Sequence, residues 1–458
     1  MSGSRAPRTG RLARSAIAGV ATARVGAAQA RRRWASSDTP EAAAEHEARI
    51  GRILFTAMSR MRGTALKAAQ VLSLDATFLP PGVRAELAKA THRVAPLNRA
   101  LVGRAFRDAF GREPEALFAT FEHPAFAAAS LGQVHRATLA DGTPLAVKVQ
   151  YPGIAATIDS DLRLLRSALG NIGSGLPALP DPRIVERVLA EIERQLHEEV
   201  DYRHEAEQQR RFRARARHPD IVIPKAIASR TTRTVLTQQL LPGRHLDEWL
   251  TTRPTQAIRD RQGQAVFDWF VQCAWIRRRI HADLHPGNFV FRDDGRVGVL
   301  DFGCTLALSE SFTSGLARAW CAWLDEPASN AALIDAYGGL GLVDPALEPS
   351  TFDAEVRPGI APLLRWATEP FTRATFDFSR KSPLPAHDTS AQRFVVRHMA
   401  GVPPELPSFD RAWLGLMHLL HRLGAVIDTR AGRALLTSSG ERRRAVATNP
   451  SPAAEGTR

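Results

Sequence analysis

The stretch Ile280-His-Ala-Asp-Leu-His-Pro-Gly-Asn-Phe289, followed by Leu300-Asp-Phe-Gly303, decides the fold predicted for this chain. Asn288 follows Asp283 by five residues, and Asp301 follows Asn288 by thirteen. This is the spacing of a kinase catalytic loop and of the Asp-Phe-Gly whose aspartate binds the metal ion. The sequence therefore predicts a protein that uses ATP.

Two short alternating runs lie between Asn288 and Asp301, separated by Asp294-Gly295. Asp-Gly is a strong signal for a hairpin with a two-residue turn. With those two residues as the loop, Asn288 lies opposite Asp301, and opposed side chains have Cβ atoms about 4.5–5.5 Å apart. Amide and carboxylate oxygens are ligands that Mg²⁺ accepts. We therefore expect Asn288 and Asp301 to bind one Mg²⁺.

Length and charge narrow the class of protein. The chain has 458 residues, 44% of them hydrophobic, which suffices for a large core in two or three structural units. The net charge of +14 is uneven, because residues 1–37 hold eight arginines and no acidic residue. Nucleic acid is therefore not the expected partner of the folded part. We expect this tail to be disordered, with a targeting segment or an anionic-membrane contact as the alternatives.

The cysteines and the hydropathy bear on localisation. Cys273, Cys304 and Cys321 form neither a disulfide framework nor a metal-binding pattern, which fits a reducing, cytoplasmic compartment. No stretch reaches the roughly 18–20 uninterrupted apolar residues that span a bilayer. Any association with a membrane is therefore expected to be peripheral.

The fold class predicted is α+β, a two-lobed protein-kinase-like fold with a helical N-terminal extension. One long helix is expected from about Ile184 to Arg217. The predicted parts are a disordered or targeting tail at 1–45, the helical extension at 46–110, an N-lobe at 111–240, a C-lobe at 241–435 and a disordered tail at 436–458.

A second candidate site lies on two strands that Asp141-Gly142 joins. The second strand, Leu145-Ala-Val-Lys-Val-Gln150, places Lys148 on the face opposite its large aliphatic residues. Lys148 follows Gly132 by sixteen residues, close to the distance between a kinase phosphate loop and its phosphate-binding lysine. We expect Lys148 to contact phosphate as a point charge.

The predicted phosphate loop is rich in alanine. Ala127 and Ala129 stand where the kinase G-x-G-x-x-G has its first two glycines, while Gly132 remains. Alanine is confined in φ where glycine is not, so this loop should be stiffer and should restrain transfer to protein substrates. The alternative is that the alanines only pack under a strand turn. The residues predicted to contact nucleotide in this loop are Ala127, Ala128, Ala129, Ser130 and Gly132.

Four motifs together resemble the UbiB-type (AarF-type) atypical kinases, which are linked to coenzyme Q biosynthesis. They are Ala127-Ala-Ala-Ser-Leu-Gly-Gln-Val-His135, Val147-Lys-Val-Gln-Tyr-Pro-Gly153, Glu199-Val-Asp-Tyr-Arg-His-Glu-Ala206 and His281-Ala-Asp-Leu-His-Pro-Gly-Asn-Phe289. The resemblance runs from about 60 to 305. It implies Mg-ATP as the cofactor and ATP hydrolysis or small-molecule phosphorylation that supports isoprenoid-quinone metabolism at a membrane surface. The expected contacts besides nucleotide are anionic membrane, peripherally, and quinone-like lipid.

The resemblance also implies that the N-terminal extension lies across the active site and restricts protein substrates. Lys67 and Gln70 match the family's Lys-x-Gly-Gln motif, with Ala69 in place of its glycine. Glu199 and Asp201 match its Glu-x-Asp motif, which would face Lys67.

The remaining roles follow from the same resemblance. Glu205 is the first choice for the acid that holds Lys148, with Glu199 as the alternative. Gln239 falls in the linker between the lobes, near the adenine, where relatives commonly have glutamate. Asp283 would orient or deprotonate a hydroxyl group or a water molecule.

Two other functions fit parts of the pattern. A small-molecule phosphotransferase of the aminoglycoside or choline kinase type has a similar His-x-Asp loop, but leaves the alanine-rich loop unexplained. A non-catalytic, ATP-gated binding protein would keep the nucleotide contacts and lose turnover.

Overall fold

The protein is represented by a computed structural model that describes residues 11–34, 39–61, 81–87, 89, 97–129, 131–173, 182–325, 327–385, 394–395 and 397–447. These residues form two compact units. Within them, unit 1 holds 11–210, 224–240 and 302–304, and unit 2 holds 211–223, 241–301 and 305–447.

The strands are short except for two adjacent ones near the middle of unit 1. They are β1 (Thr120–Phe121), β2 (Ala127–Ala129), β3 (Gly132–Thr138), β4 (Pro144–Gln150), β5 (Ile221–Val222), β6 (Val235–Gln239), β7 (Arg279–His281), β8 (Phe289–Phe291), β9 (Val297–Val299), β10 (Thr305–Ala307), β11 (Thr375–Asp377) and β12 (Val426–Asp428).

The longer helices in the described residues are α1 (Arg11–Trp34), α2 (Pro40–Met61), α3 (Pro81–Leu87), α4 (Arg99–Phe110), α5 (Ile158–Gly173), α6 (Pro182–Glu199), α7 (Tyr202–Arg215), α8 (Leu246–Thr251), α9 (Gln256–Gln272), α10 (Glu310–Leu324), α11 (Asn330–Gly339), α12 (Arg357–Thr368), α13 (Leu406–Leu423) and α14 (Arg430–Ala447). One π-helical turn, Cys273–Arg277, follows α9 directly.

Unit 1 is built on an antiparallel sheet in the order β1-β3-β4-β6, with β2 also paired to β3. Leu145, Val147 and Val149 of β4 are fully buried in the core that the helices of unit 1 cover. The opposite face of β4 is also buried, including Lys148 at 6% exposure. A strand covered on both faces can hold a charged side chain away from water only if that charge has a partner.

Both Asp-Gly turns close three-residue loops. Gly142 and Gly295 have φ of 81° and 82°, the left-handed region that glycine enters without strain. Asp141 Oδ1 accepts the amide of Thr143 at 3.0 Å. A turn followed by a left-handed residue is the usual form of three-residue hairpin loops, and aspartate often bonds the backbone two residues on.

The longer loop changes the register of the β8–β9 hairpin. Phe291 pairs with Val297, and the amide of Leu300 donates to the carbonyl of Asn288 at 2.9 Å. The prediction that Asn288 lies opposite Asp301 is therefore wrong by one residue. Since side chains alternate along a strand, a shift of one residue changes which of them share a face.

The long helix predicted from about Ile184 to Arg217 is two helices, α6 and α7. Asp201 interrupts it, and its Oδ1 accepts the amide of Arg203 at 3.0 Å. Aspartate is favoured at such a helix start because its side chain satisfies an amide that has no partner within the helix.

The expectation of a disordered tail fails for residues 11–34, which form α1. Ala21, Val25 and Ala28 are buried, and this stripe packs against α2 and α5. The sequence of this segment did not indicate the stripe, because its residues stand among many arginines and their packing partners lie elsewhere in the chain. None of the helices in the described parts of the chain has both the length and the apolar character needed to cross a membrane.

The prediction of a disordered tail at 436–458 is wrong for residues 436–447, because α14 continues to Ala447 and packs against α10. Leu436, the first residue of the predicted disordered tail, is fully buried. Residues 448–458 lie outside the described residues.

Unit 2 contains the hairpin β8–β9, with β5 added in parallel to β9. Residues 211–223, which we assigned to the N-lobe, belong to this unit. The ring of Phe212 lies 5.9 Å from that of Trp269, whose Nε1 donates to the carbonyl of Ala216 at 3.0 Å. Aromatic packing therefore attaches this segment to α9.

A buried polar chain ties β3 to its neighbours in unit 1. Gln133 Oε1 accepts the amide of Leu97 at 2.5 Å, and Gln133 Nε2 donates to His135 Nε2 at 2.8 Å. His135 Nδ1 then donates to the carbonyl of Glu122 at 2.9 Å. This arrangement requires a neutral imidazole, and burial lowers the pKa of His135.

We expect His135 to make folding sensitive to acid. Because the folded-state pKa lies below the ordinary value of 6.5, the stabilisation is complete above that pH and is lost as the pH falls through the folded pKa, by up to about 1.4 kcal/mol per pH unit. Urea unfolding of the parent and of His135→Asn from pH 7.5 to 5 should give a shallower pH dependence for the variant. Parallel curves would contradict this assignment.

Candidate active site

The buried lysine of unit 1 has an acidic partner. Lys148 Nζ lies 2.5 Å from Glu205 Oε1, and their side chains are only 8% and 5% exposed. Lys148 is on β4, between Val134 of β3 and Leu236 of β6. Glu205 is in the first turn of α7. Of the two acids considered for this role, the structure brings Glu205 to the lysine.

The start of α7 is held in place by the sheet. Gln150 Nε2 donates to the carbonyl of Val200 at 2.9 Å, and the amide of Tyr202 donates to the carbonyl of Arg233 at 3.0 Å. These bonds fix the chain on both sides of the break between α6 and α7. They therefore fix the direction from which Glu205 approaches β4.

The same carboxylate oxygen has a second donor. The amide of Phe302, in the Asp-Phe-Gly motif, lies 3.4 Å from Glu205 Oε1. Phe302 is fully buried in unit 1. Glu205 thus contacts both the candidate phosphate-binding lysine and the backbone of Phe302, the residue that follows the predicted metal ligand.

The other acids of the Glu-x-Asp motif lie at the break between the helices. Glu199 ends α6 and is half-buried. Asp201 Oδ2 lies 3.4 Å from Arg233 Nε. Lys67, Ala69 and Gln70 lie outside the described residues, so the implied approach of Lys67 to this motif stays a prediction.

The alanine-rich loop is the edge hairpin β2–β3. Ala127 and Ala129 are half-buried, and Ala128 is exposed. Ser130 lies outside the described residues. Ala129 pairs with Gly132 across the turn.

Gly132 has a packing reason to be glycine. A Cβ there would collide with the carbonyl oxygen of Val149 and would lie 3.0 Å from the hydroxyl of Tyr202. The close approach of β3 to β4 therefore accounts for this glycine without any phosphate contact.

Gln239 ends β6 in unit 1. Its side-chain Oε1 accepts a hydrogen bond from the backbone amide of Lys225 at 3.2 Å. Its backbone amide donates to the carbonyl of Lys225 at 3.0 Å. The side chain therefore extends the pairing of the sheet edge.

The catalytic loop of unit 2 connects β7 to β8. It contains a short helical turn at Pro286–Asn288, capped by His285, whose Nδ1 accepts the amide of Gly287 at 3.1 Å. Asn288 Nδ2 donates to both the carbonyl and the Oδ2 of Asp283, at 2.9 and 3.0 Å. Because the amide nitrogen binds Asp283, Oδ1 is the atom of Asn288 that suits a cation.

His281 is a site residue that our sequence reasoning did not single out. It is 1% exposed, and its Nδ1 accepts the amide of Asp283 at 3.2 Å. Its Nε2 therefore carries the proton and donates to the carbonyl of Asp301 at 2.5 Å. One imidazole thus ties the backbone of Asp283, the candidate catalytic residue, to that of Asp301, the predicted metal ligand. The available signal was its place two residues before Asp283, the His-x-Asp spacing.

The donors in unit 2 suit a hard cation. Asn288 offers an amide oxygen and Asp301 a carboxylate, both ligand types that Mg²⁺ accepts. Among the described residues, the group of His, Cys, Asp and Glu side chains close enough to share an ion is a different one, Asp159, Glu193 and His197 of unit 1. Two of its three members are exposed, and acidic surface groups of this kind are common without an ion.

Comparison with known proteins identifies the domain. A family model described as the ABC1 atypical kinase-like domain matches residues 89–333, more than half of the chain. The mitochondrial atypical kinase coq-8 of Caenorhabditis elegans is 33% identical over 275 residues, which cover 58% of this chain and 35% of coq-8. The probable serine/threonine-protein kinase abkA of Dictyostelium discoideum is 32% identical over 260 residues, which cover 54% of this chain and 45% of abkA.

A solved structure extends the similarity over most of the chain. The complex of Rv3197 with erythromycin, from Mycobacterium tuberculosis, superposes with a TM-score of 0.60 at 26% identity, covering 86% of this chain and 96% of that one. The chain spans less than half the length of coq-8 and abkA. The kinase-like fold and the UbiB-type resemblance are thereby confirmed, and the chain belongs to the ABC1 atypical kinase-like family.

Proposed function

We propose that this chain is an atypical kinase or ATPase that binds Mg-ATP and supports isoprenoid-quinone or lipid metabolism. The observation that carries the proposal is the buried ion pair of Lys148 and Glu205. A buried ion pair contributes little to stability compared with apolar side chains of similar volume. Buried charges at specific positions are, however, common where a protein binds or transforms a charged substrate. The UbiB-type resemblance supports the quinone assignment.

Lys148 has the role of contacting nucleotide phosphates. Lysine has three N–H donors, and the pair with Glu205 fixes the position of its ammonium group. Glu205 determines where those donors point. The pair is therefore suited to a phosphate group that enters beside an already fixed lysine.

Asp283 has the role of orienting or deprotonating the nucleophile, which is a hydroxyl group or water. Its Oδ2 accepts a hydrogen bond from Asn288, and its amide donates to His281. These contacts hold the carboxylate in one orientation, which favours acceptance of a proton from a correctly placed group.

Asn288 and Asp301 have the role of holding Mg²⁺. When bound, the ion would neutralise charge on the phosphates. His281 donates a hydrogen bond to the backbone carbonyl of Asp301. Asn288 donates one to the carboxylate of Asp283. The metal ligands and the candidate base are therefore held by one hydrogen-bond network.

A peripheral contact with anionic membrane is the proposed role of the exposed face of α1. This helix contains no acidic residue, and it presents Val20, Arg24 and Arg31 on its surface. Arginine beside an apolar residue on one helix face suits the surface of an anionic bilayer.

Replacement of Asp301 tests the nucleotide site. Asp301→Asn should weaken Mg²⁺-dependent nucleotide binding at least about tenfold. Mutation of residues that only hydrogen-bond to metal ligands already causes a loss of that size in metal affinity. Titration calorimetry with Mg-ADP, with and without EDTA, measures the effect. Asp293→Asn is the matched control, because this exposed aspartate lies on the same hairpin. Equal affinity in parent and Asp301→Asn would remove the metal assignment.

Replacement of Glu205 tests the ion pair. Glu205→Gln leaves the Lys148 charge buried without its counterion, which should lower the free energy of unfolding by about 3–5 kcal/mol. It should also weaken nucleotide binding. Glu199→Gln, at the alternative acid, should change both far less. Urea unfolding and nucleotide titration of the two variants give the comparison. If Glu199→Gln loses as much stability and nucleotide affinity as Glu205→Gln, Glu199 would again be a candidate for the acid that supports Lys148.

Replacement of Ala129 tests the stiffness of the alanine-rich loop. Glycine makes positive φ accessible, so Ala129→Gly should alter nucleotide affinity and allow autophosphorylation. Mass spectrometry after incubation with Mg-ATP, with a nucleotide titration, detects both. Ala140→Gly, at an exposed alanine in the loop between β3 and β4, is the control. If Ala129→Gly behaves as the parent in both measurements, the alanines are packing residues.

Replacement of surface arginines tests the membrane contact. Because α1 is part of the core, its side chains should be changed and the helix kept. Arg24→Gln with Arg31→Gln should weaken binding to phosphatidylserine vesicles by about 2 kcal/mol, at about 1 kcal/mol for each arginine. The control is Arg104→Gln with Arg112→Gln, which removes the same charge from two exposed arginines outside α1. Equal co-sedimentation of the two double variants would exclude α1 as the contact.

A further inference from the structure

Helix α13 contacts the catalytic loop through Arg411. Its Nε donates to the carbonyl oxygen of Ala282 at 3.2 Å. Ala282 is 1% exposed and directly precedes Asp283. A charged donor on a backbone carbonyl is a stronger bond than one between two neutral groups.

The same helix contacts the loop on the other side of Asp283. A Cβ on Gly415 would lie 3.2 Å from Leu284 Cβ and 3.4 Å from Leu284 C. Both atoms belong to a residue that is 1% exposed and directly follows Asp283. A residue with a Cβ at 415 would therefore require Leu284, the neighbour of Asp283, to give by a few tenths of an ångström.

Helix α13 is itself firmly anchored in unit 2. Trp413 packs with its ring 5.0 Å from that of Trp320, and its Nε1 donates to the carbonyl of Ala367 at 3.2 Å. Further along, His421 Nδ1 bonds the carbonyl of Phe378 at 2.9 Å. A site is most precise when the residues that support it belong to rigid, packed elements.

From these contacts we infer that α13 is the support that sets the position of Asp283, with Arg411 and Gly415 as positioning residues. The two contacts bracket the aspartate, one on the residue before it and one on the residue after it. Helix α13 lies beyond residue 333, where the match to the ABC1 family model ends. The inference rests on the proposed role of Asp283 in phosphate transfer.

We expect Arg411 and Gly415 to affect the rate of turnover more than the affinity for nucleotide. Both residues contact the backbone or side chain of a residue that directly flanks Asp283. Displacing a catalytic group by about 1 Å can cost up to about 100-fold in rate. Loss of the Arg411 bond should therefore lower kcat while KM for ATP changes little.

The experiment compares the full chain with Arg411→Met, Arg411→Lys and Gly415→Ala. Methionine keeps the apolar stem of the side chain and removes the donors, whereas lysine keeps a cation and should recover part of the loss. Two readouts are used, steady-state release of phosphate from Mg-ATP and hydrogen exchange of a peptide spanning 280–289. Exchange reports the loop directly and does not depend on activity.

Two variants serve as matched controls. Arg422→Met removes an arginine from the same helix, where it pairs with Asp247 at the surface. Gly440→Ala changes another helical glycine of unit 2, at which a Cβ would make only ordinary contacts with Arg318. Both controls should keep the parent's kcat and its exchange over 280–289.

Arg411→Met and Gly415→Ala are expected to lower kcat by about 10- to 100-fold and to speed exchange over 280–289. Parent-like values of both quantities in folded variants would overturn the inference. If Gly415→Ala does not fold, the two Arg411 variants decide. If the parent itself releases no phosphate, the proposed function fails, and the exchange data alone then decide whether α13 holds the loop.

Discussion

The ion pair between Lys148 and Glu205 is the interaction on which the arrangement of unit 1 depends. A lysine on a strand covered on both faces is tolerated only with a counterion at hydrogen-bonding distance. That counterion comes from α7, so the helix must begin where the sheet can fix its first turn. The side-chain amide of Gln150 and the backbone amide of Tyr202 donate the two hydrogen bonds that do so. The break between α6 and α7 is therefore part of the requirement for this pair.

In unit 2 the corresponding constraint is the path of the backbone around Asp283. Its amide, its carbonyl and its side chain each have a partner, supplied by His281 and Asn288. The residues on either side are held by Arg411 and Gly415 of α13. Short loops have little packing of their own, so such bonds and contacts determine how accurately a catalytic group is held.

The sequence was informative where chemistry and spacing coincide. Lys148, Asp283, Asn288 and Asp301 were selected because a phosphate-binding site requires particular residue types at nearly fixed separations, and their roles stay predictions. Glu205 was identified as the partner of Lys148 from a motif, and the structure places the two in contact. Local patterns failed where the deciding partner is distant or where one residue changes the geometry. The buried alanines of α1 have partners that no local window contains, and the Asp-Gly turns accommodate three residues as readily as two.

The central claim is that the chain turns over Mg-ATP through Asp283, and release of labelled phosphate from γ-labelled ATP tests it most directly. The parent and Asp283→Asn are compared with Mg²⁺ and with EDTA, in the presence of anionic liposomes and quinone-precursor mimics, with calorimetry as a check that both still bind nucleotide. The account predicts Mg²⁺-dependent release, or transfer of label to a small acceptor, by the parent and loss of both in Asp283→Asn. A parent that binds nucleotide but neither releases nor transfers its phosphate would contradict the account and favour an ATP-gated binding protein.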